Sequence, residues 1–259
     1  MTQADPKSGS TEAEVALIVG GGPGVSASCA RRFAAAGMTV AVAARNPDKP
    51  VMQTLAKDHG VHCLKCDARD PDSVADLFRT VIETLGRPKL VVHNIDGRSA
   101  DIFRKEIIEA DPKLVFDTLQ NSAYSAFLVG QQAAICMLAR ELVDDGHRGT
   151  IIFTNASAAF KGYPKSGAFA ISSHGKAGLA QSMARELMPQ GIHVAHVPID
   201  TAIGWEQEDG SRWHRLAGTN VEDNMSDPTY IAETYLQLHR QHRSTWAFEV
   251  VLRPWVENW

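Results

Sequence analysis

The sequence predicts a single α/β domain, a doubly wound parallel sheet of about seven strands with helices on both faces. Three observations carry this. Short apolar runs recur along the chain, stretches with helical periodicity separate them, and the first run ends in a cluster of glycines. Strands covered on both faces by helices read as near-continuous apolar runs rather than alternating ones. The 259 residues, 44% hydrophobic and 22% charged, describe an ordinary globular chain. A chain of this length buries a sufficient core without disulfide staples.

The elements follow in order. Val15–Val19 is the first apolar run. Ala27–Ala36 reads as a helix, with Cys29, Ala30, Phe33 and Ala34 at helical spacing and Gly37 as its stop. Thr39–Ala43 is too short for a helix and reads as the second strand. Val61–Lys65, Leu90–His93, Thr150–Thr154, Ile192–Val197 and Phe248–Leu252 repeat the theme. Asp70-Pro71, Asp111-Pro112 and Asp227-Pro228 are helix start signals. The first opens a helix carrying Val74, Leu77, Phe78 and Val81; the second opens a stretch running to about Asp144; the third leads through Ile231, Tyr235 and Leu238. Residues 1–13 are polar and read as a disordered tail ahead of the domain, 14–259. Residues 201–226 are irregular, carry Trp205 and Trp213, and read as a lid over a substrate.

Composition narrows the partners. A net charge of -4 gives no reason to expect nucleic acid or an anionic membrane. No apolar run approaches the ~20 residues of a membrane span, no apolar signal core opens the chain, and there is no disulfide framework, so a cytoplasmic location is expected. Cys63 and Cys66 form a CxxC with no second ligand pair spaced for zinc, so no metal site is expected and the pair reads as structural.

The run Gly20-Gly21-Gly22-Pro23-Gly24-Val25-Ser26 lies between a strand and a helix. Glycines there let the backbone turn sharply and approach a pyrophosphate, while the helix N-terminus presents free N–H groups and the positive end of its dipole. Gly20, Gly22, Pro23, Gly24 and Val25 are therefore expected to hold a dinucleotide. The second strand ends Ala43-Ala44-Arg45-Asn46, without the acid that would bond the ribose 2′-OH of NAD. Arg45 offers a planar fork for a 2′-phosphate, which favours NADP(H) over NAD(H); the alternative is an ordinary surface arginine.

From about Val15 to Leu252 the chain resembles the short-chain dehydrogenase/reductase family. Gly20–Ser26 is similar to that family's GxxxGxG turn, with Ser26 at the third glycine. Cys66-Asp67-Ala68 resembles the segment after the third strand, which implies adenine contacts from Asp67 and Ala68. His93-Asn94-Ile95-Asp96 matches the Asn-Asn-Ala-Gly stretch at Asn94 alone. Asn121 sits where the family has the helix asparagine of its catalytic set. Gly149–Ser157 resembles the fifth strand and the catalytic-serine segment, and Ile192-His193-Val194 the sixth strand, with Pro198-Ile199-Asp200 in place of its Pro-Gly. Ile171–Leu179 aligns with the helix bearing Tyr-x-x-x-Lys. Lys176 is the lysine, which the resemblance assigns to the cofactor ribose, and Ser172 stands at the tyrosine. The resemblance implies a Rossmann-like fold and a homodimer or homotetramer paired through helices near 111–144 and 165–188. The apolar Phe127, Leu128, Ile135 and Leu138 suit such pairing, and Trp255 and Trp259 are buried by a neighbour or by their own chain.

Serine is a far weaker acid than tyrosine and several ångströms shorter. Strict counting from Gly149 puts the catalytic serine at Ala156; Ser157 is its neighbour, and Ala158–Gly167 accommodates an insertion. The expected catalytic set is Lys176, Asn121, Ser172 and Ser157, with a water held among Ser172, Ser157 and Lys176 as proton relay. Tyr163 and Tyr124 are the alternative phenols, each also readable as an ordinary loop or helix residue. His174 points to another helix face than Ser172, and His193 and His196, facing the same side with no visible partner, read as strand packing. Three functions compete: an NADP(H)-dependent oxidoreductase acting on a carbonyl or alcohol, or on an activated double bond; a non-redox lyase or isomerase on the same fold; and a non-catalytic dinucleotide-binding protein.

Overall fold

A computed structural model describes residues 13–142, 146–205 and 224–257. Residues 1–12 of the expected tail, 206–223 of the expected lid with Trp213, and Trp259 lie outside the described residues. Six parallel strands, β1 (Val15–Val19), β2 (Thr39–Ala44), β3 (His62–Lys65), β4 (Pro88–His93), β5 (Gly149–Ala156) and β6 (Ile192–Ile199), form one sheet in the order β3-β2-β1-β4-β5-β6. The expected seventh strand is present only in part. Residues 248–252 run beside β6 and pair at isolated bridges, His196 with Glu249 and Ile199 with Leu252.

The helices divide between the two faces. α1 (Val25–Ala35), α2 (Pro50–His59) and α7 (Pro228–His239) cover one; α3 (Pro71–Thr84), α5 (Ser125–Leu138) and α6 (Gly167–Leu187) cover the other. Each face has its own apolar core. Phe33, Met52 and Tyr235 fill one layer, and Phe78, Met137 and Phe153 fill the other. The alternating strand residues supply both cores, which is why the strands show no polar face. All three Asp-Pro signals act as read. Asp70, Asp111 and Asp227 accept the backbone N–H two residues on, at 3.0, 2.8 and 2.8 Å, while proline takes the first helical position.

The long helix expected from Asp111 to about Asp144 is interrupted. α4 (Pro112–Leu119) passes through a π turn, Gln120–Tyr124, into α5, which ends at Leu138. Gly97, at φ +87°, lets the loop after β4 press against this turn; a Cβ there would stand 3.0 Å from that of Ser122. Phe127, Ile135 and Leu138 are exposed on α5, but Leu128 is buried in the chain's own core, so it belongs to no pairing face. Trp255 is exposed.

The two strand histidines do have partners, and they do not share a side. Three residues apart on a period-two strand, they point to opposite faces. His193 places its nitrogens 3.1 Å from the Leu238 carbonyl and 2.9 Å from that of Ala247, with Trp246 stacked on its ring. His196 lies 2.8 Å from both Asn155 and Glu249. The C-terminal segment supplies partners that local sequence does not reveal.

At the amino edge of the sheet, Glu14 contacts His239 at 3.1 Å and Lys89 at 2.6 Å, and the His147 ring packs edge-on against His239. The His239 hydrogen bond, with Lys89, holds Glu14 down at about 2, and burial holds His147 down at about 4. His147 thus contributes stability that is full above about 6.5 and is lost as pH falls toward 4; Glu14 contributes above 4.5 and loses it toward 2. Denaturant midpoints should show the wild type losing ~2 kcal/mol more than a His147→Phe variant between about pH 7 and pH 4.5. Equal losses would clear His147 as the source.

Candidate functional site

The strand order reverses between β1 and β4, and the crevice outside their carboxyl ends is where open α/β sheets bind ligands. A groove of roughly 220 Å³ opens there, reaching from Gly20 and Gly21 past Arg45 and Asp67 to Asn94 and Asn121. Gly20 has φ +112°, and a Cβ on it would collide with the Asn94 backbone carbonyl. Gly20 and Gly21 both donate their N–H to the Ala43 carbonyl, at 2.9 and 3.0 Å. Ser26, the residue at the third glycine position, is buried and braces the turn. Its hydroxyl donates to the Gly20 carbonyl at 2.5 Å and accepts from the Asn94 amide at 2.6 Å. α1 begins after Gly24 with no side-chain cap and no acid in its first turn, which leaves its positive end facing the turn.

The named glycines are not equivalent. A Cβ on Gly22 would meet nothing within 4 Å, and one on Gly24 would touch Ile203 and Trp205 only at 3.9 Å. Pro23 is exposed and Val25 is buried beneath the turn. Gly21, not singled out from sequence, is the tighter position, since a Cβ there would stand 2.8 Å from the Met52 sulfur. At the far end of the groove Arg45 is joined by Lys49. Asp67 is gripped by Arg69 through a two-pronged fork, Nη2 at 2.7 Å and Nε at 3.0 Å, which keeps its carboxylate below the usual range. Ala68 lies buried beside it.

Lys176, on α6, is buried with its ammonium donating to the carbonyls of Ile95 at 2.8 Å and Thr154 at 3.1 Å. Two of its three N–H groups are thereby used, so one remains for a further acceptor. Burial pulls its pKa down to about 8, with Asp96 opposing. Ser172, one turn earlier, is also buried, and its hydroxyl donates at 2.9 Å to the Ala168 carbonyl of its own helix. Asn121 sits in the π turn and is partly exposed. Its carbonyl accepts the Ser125 hydroxyl at 2.5 Å, and that hydroxyl lies 2.8 Å from His93 Nε2. Ser157 starts a short 3₁₀ turn, Ser157–Ala159, and its carbonyl accepts the N–H of Lys161 at 2.8 Å. His174 bonds back to Ala170 on the exposed side of α6, and Tyr124 stacks on Phe127.

A family model described as "Enoyl-(Acyl carrier protein) reductase" matches residues 21–246. The chain belongs to the short-chain dehydrogenase/reductase family. This short-chain dehydrogenase/reductase is 26% identical over 236 residues to "(+)-cis,trans-nepetalactol synthase NEPS1" of Nepeta racemosa, covering 88% of this chain and 84% of that one. It is 31% identical over 176 residues to "3-oxoacyl-[acyl-carrier-protein] reductase MabA" of Mycobacterium bovis, covering 68% of this chain and 64% of that one. A short-chain dehydrogenase structure from Rhodopseudomonas palustris superposes with a TM-score of 0.75 at 29% identity, over 95% of this chain and 100% of that one. The family membership supports a general oxidoreductase and dinucleotide-binding activity. Among the described residues of this dehydrogenase/reductase, no helix is long and apolar enough to cross a membrane, and no three His, Cys, Asp or Glu side chains are grouped to hold a metal ion. Sequence reading missed Asn155, whose amide donates to the Ser173 carbonyl at 2.9 Å and ties the end of β5 to α6. It also missed Lys49 and the pair Lys161 and Asp200, 2.6 Å apart. Only Lys49 had a local sign, a second cation four residues beyond Arg45.

Proposed function

We propose that this protein is an NADP(H)-dependent oxidoreductase that transfers hydride to or from a small carbonyl or alcohol, with a proton relay that does not use position 172. One observation carries the reading: a groove that begins at a glycine turn closed to a side chain at Gly20 ends at Arg45 and Lys49, with no carboxylate supplied by the end of β2. The groove fits a dinucleotide by its chemistry. Gly20 and Gly21 give the close backbone approach, the open end of α1 faces the pyrophosphate, and Arg45 and Lys49 meet a 2′-phosphate. Asp67 and Ala68 border the adenine end, and Asn94 holds the turn. When bound, the cofactor supplies or accepts the hydride. Lys176 keeps one N–H for the ribose, and Asn121 and Ser157 flank the space beyond it. Ser172 spends its hydroxyl proton on the Ala168 carbonyl of its own helix, so the relay draws on Lys176 and the Ser157 edge. The exposed apolar side chains of α5 suit a homodimer or homotetramer.

A second reading, non-redox chemistry around a cofactor that is held but not consumed, has one observation in its favour. The relative from Nepeta racemosa is named a synthase.

Titration by cofactor fluorescence decides between cofactors. NADPH should bind at least ~10-fold more tightly than NADH, and Arg45→Ala should weaken NADPH by ~10–100-fold while leaving NADH within about threefold, as expected for losing a charge-assisted bond of about 1.5–3 kcal/mol. NADH binding as tight as NADPH would remove Arg45 as the phosphate reader. Product analysis then separates the two chemistries, because only the first consumes NADPH in proportion to product.

A further inference from the structure

His93 is the last residue of β4 and is fully buried, yet hydride transfer as proposed gives it no part. The two residues after it are both at the site. Asn94 donates to the Ser26 hydroxyl, and the Ile95 carbonyl accepts the Lys176 ammonium. The His93 ring reaches the π turn instead. Its Nε2 lies 2.8 Å from the Ser125 hydroxyl, and that hydroxyl lies 2.5 Å from the Asn121 carbonyl and 3.2 Å from that of Ser122. His93 Nδ1 is buried and meets no hydrogen-bonding atom of another described residue.

These contacts fix where the protons sit. The Ser125 backbone N–H donates to the Gln120 carbonyl, five residues back. An α-helix would bring that N–H to the Asn121 carbonyl, and the Ser125 hydroxyl takes its place. A carbonyl only accepts, so the single hydroxyl proton goes to Asn121, the shorter of the two carbonyl contacts. The Ser125 oxygen is left to accept from His93, which places the ring hydrogen on Nε2. Nδ1 then carries a lone pair; an N–H there would be an orphaned buried donor. A second ring proton would create that donor and add a buried charge near the Lys176 ammonium. Burial and that ammonium hold the His93 pKa well below the usual histidine value, so the ring stays neutral. The donors thus run one way, from His93 through Ser125 to Asn121. Asn121 lines the groove, and Gly97 and Gly175 both pack closely on the turn that carries it.

We propose that His93 is a positioning residue for Asn121, acting through the Ser125 hydroxyl to hold the π turn at the groove. The proposal rests on the hydride-transfer reading, in which Asn121 flanks the reacting space. A π turn is an uncommon helix register, and a side chain inserted into the hydrogen-bond ladder is one cause that sustains a departure from α geometry. Here the inserted hydroxyl is anchored to the sheet by His93. The place of Asn121 is therefore set by the end of β4 and not by its own helix alone. His93 touches neither substrate nor cofactor in this role. It stays neutral throughout and exchanges no proton with the reacting groups.

The test compares wild type, His93→Phe, His93→Gln, Ser125→Ala and the double variant His93→Phe with Ser125→Ala. NADPH oxidation is followed with a panel of aldehydes and ketones, and NADPH affinity by fluorescence. His93→Phe should lose ~10–100-fold in kcat, the effect of a small misplacement at the reacting centre, with NADPH affinity within about threefold. His93→Gln should recover most of that loss, because its amide keeps an N–H donor at comparable reach. The double variant should be slower than Ser125→Ala by no more than about twofold, since residues acting through one chain of bonds do not add. A readout that needs no variant is nitrogen-15 NMR of histidine-labelled wild type, in which His93 should be the neutral Nε2–H tautomer from about pH 5.5 to 8. The Nδ1–H tautomer or a cationic ring would overturn the chain even if every variant failed to fold. A His93→Gln protein as slow as His93→Phe would also overturn it, since the donor would then be irrelevant. Wild-type kcat in His93→Phe would remove His93 and leave hydride transfer standing. A wild type that binds NADPH yet reduces no member of the panel would remove the hydride-transfer reading and this role with it, whatever the tautomer.

Discussion

Gly20→Ala should abolish dinucleotide binding and cost the fold on the order of 3 kcal/mol, the largest single-residue effect expected at the groove. Two penalties coincide. At φ +112° an alanine is strained wherever its side chain points, and here the Cβ also points at a backbone carbonyl, that of Asn94. Neither side yields easily. The Asn94 N–H is bonded to the Val19 carbonyl at 2.8 Å, and the turn is tied to β2 through both N–H groups on Ala43. Gly22→Ala is the internal control. With nothing within 4 Å of its Cβ, it should stay within about 0.5 kcal/mol of wild type. Denaturant unfolding and NADPH fluorescence on the two variants check this directly. A Gly20→Ala protein that binds NADPH within about threefold of wild type would mean that the turn is built differently.

The second large effect is expected at Lys176. Its pKa falls from 10.5 to about 8 on folding, because burial penalises the charged form. Between those values the unfolded chain holds the proton and the folded chain has released it, so stability rises with pH across that window and the burial penalty is fully present below about 8. Measured against Lys176→Met, wild-type stability should climb by ~3 kcal/mol from about pH 7 to pH 11. Parallel curves would show that the ammonium is better solvated than its burial implies. Turnover should fall by ~10²-fold or more in the same variant, if the lysine holds the ribose and the relay.

How far each feature was legible depended on how local its cause was. The Asp-Pro helix starts were plain because cap and proline act within three residues. The strands were plain because burial on both faces leaves an unbroken apolar run. The segment 248–252 has that composition yet pairs with β6 only at bridges, and Glu249 and the following Arg253 reach to His196 and Asp200. The π turn at Asn121 has no composition of its own, so helical periodicity reads straight through it. In the site, the glycine cluster was visible, but residue type alone could not separate Gly20, closed by a carbonyl, from Gly22, which faces open space. Lys161 and Asp200 are 39 positions apart in sequence and meet only through the β5–β6 register. Ser172 read as a candidate by alignment, but its hydroxyl answers to the carbonyl one turn back, a preference common to serines inside helices.

The pairing of residues 248–252 with β6 also bears on how this molecule behaves among its own kind. An exposed parallel edge is a template on which another chain can add a strand, and aggregation often begins there. Here the outer row of β6 is already occupied: the His196 N–H donates to the Phe248 carbonyl and its carbonyl accepts from Val250, while the Pro198 carbonyl accepts from Leu252 and the Asp200 N–H donates to the Leu252 carbonyl. The covering strip is a poor template in turn, because it holds only bridges and runs into Arg253 and Pro254. The sheet thus ends in a selvedge, a finished border that another chain cannot readily extend, and the same strip ties the backbone of Asp200 to Leu252.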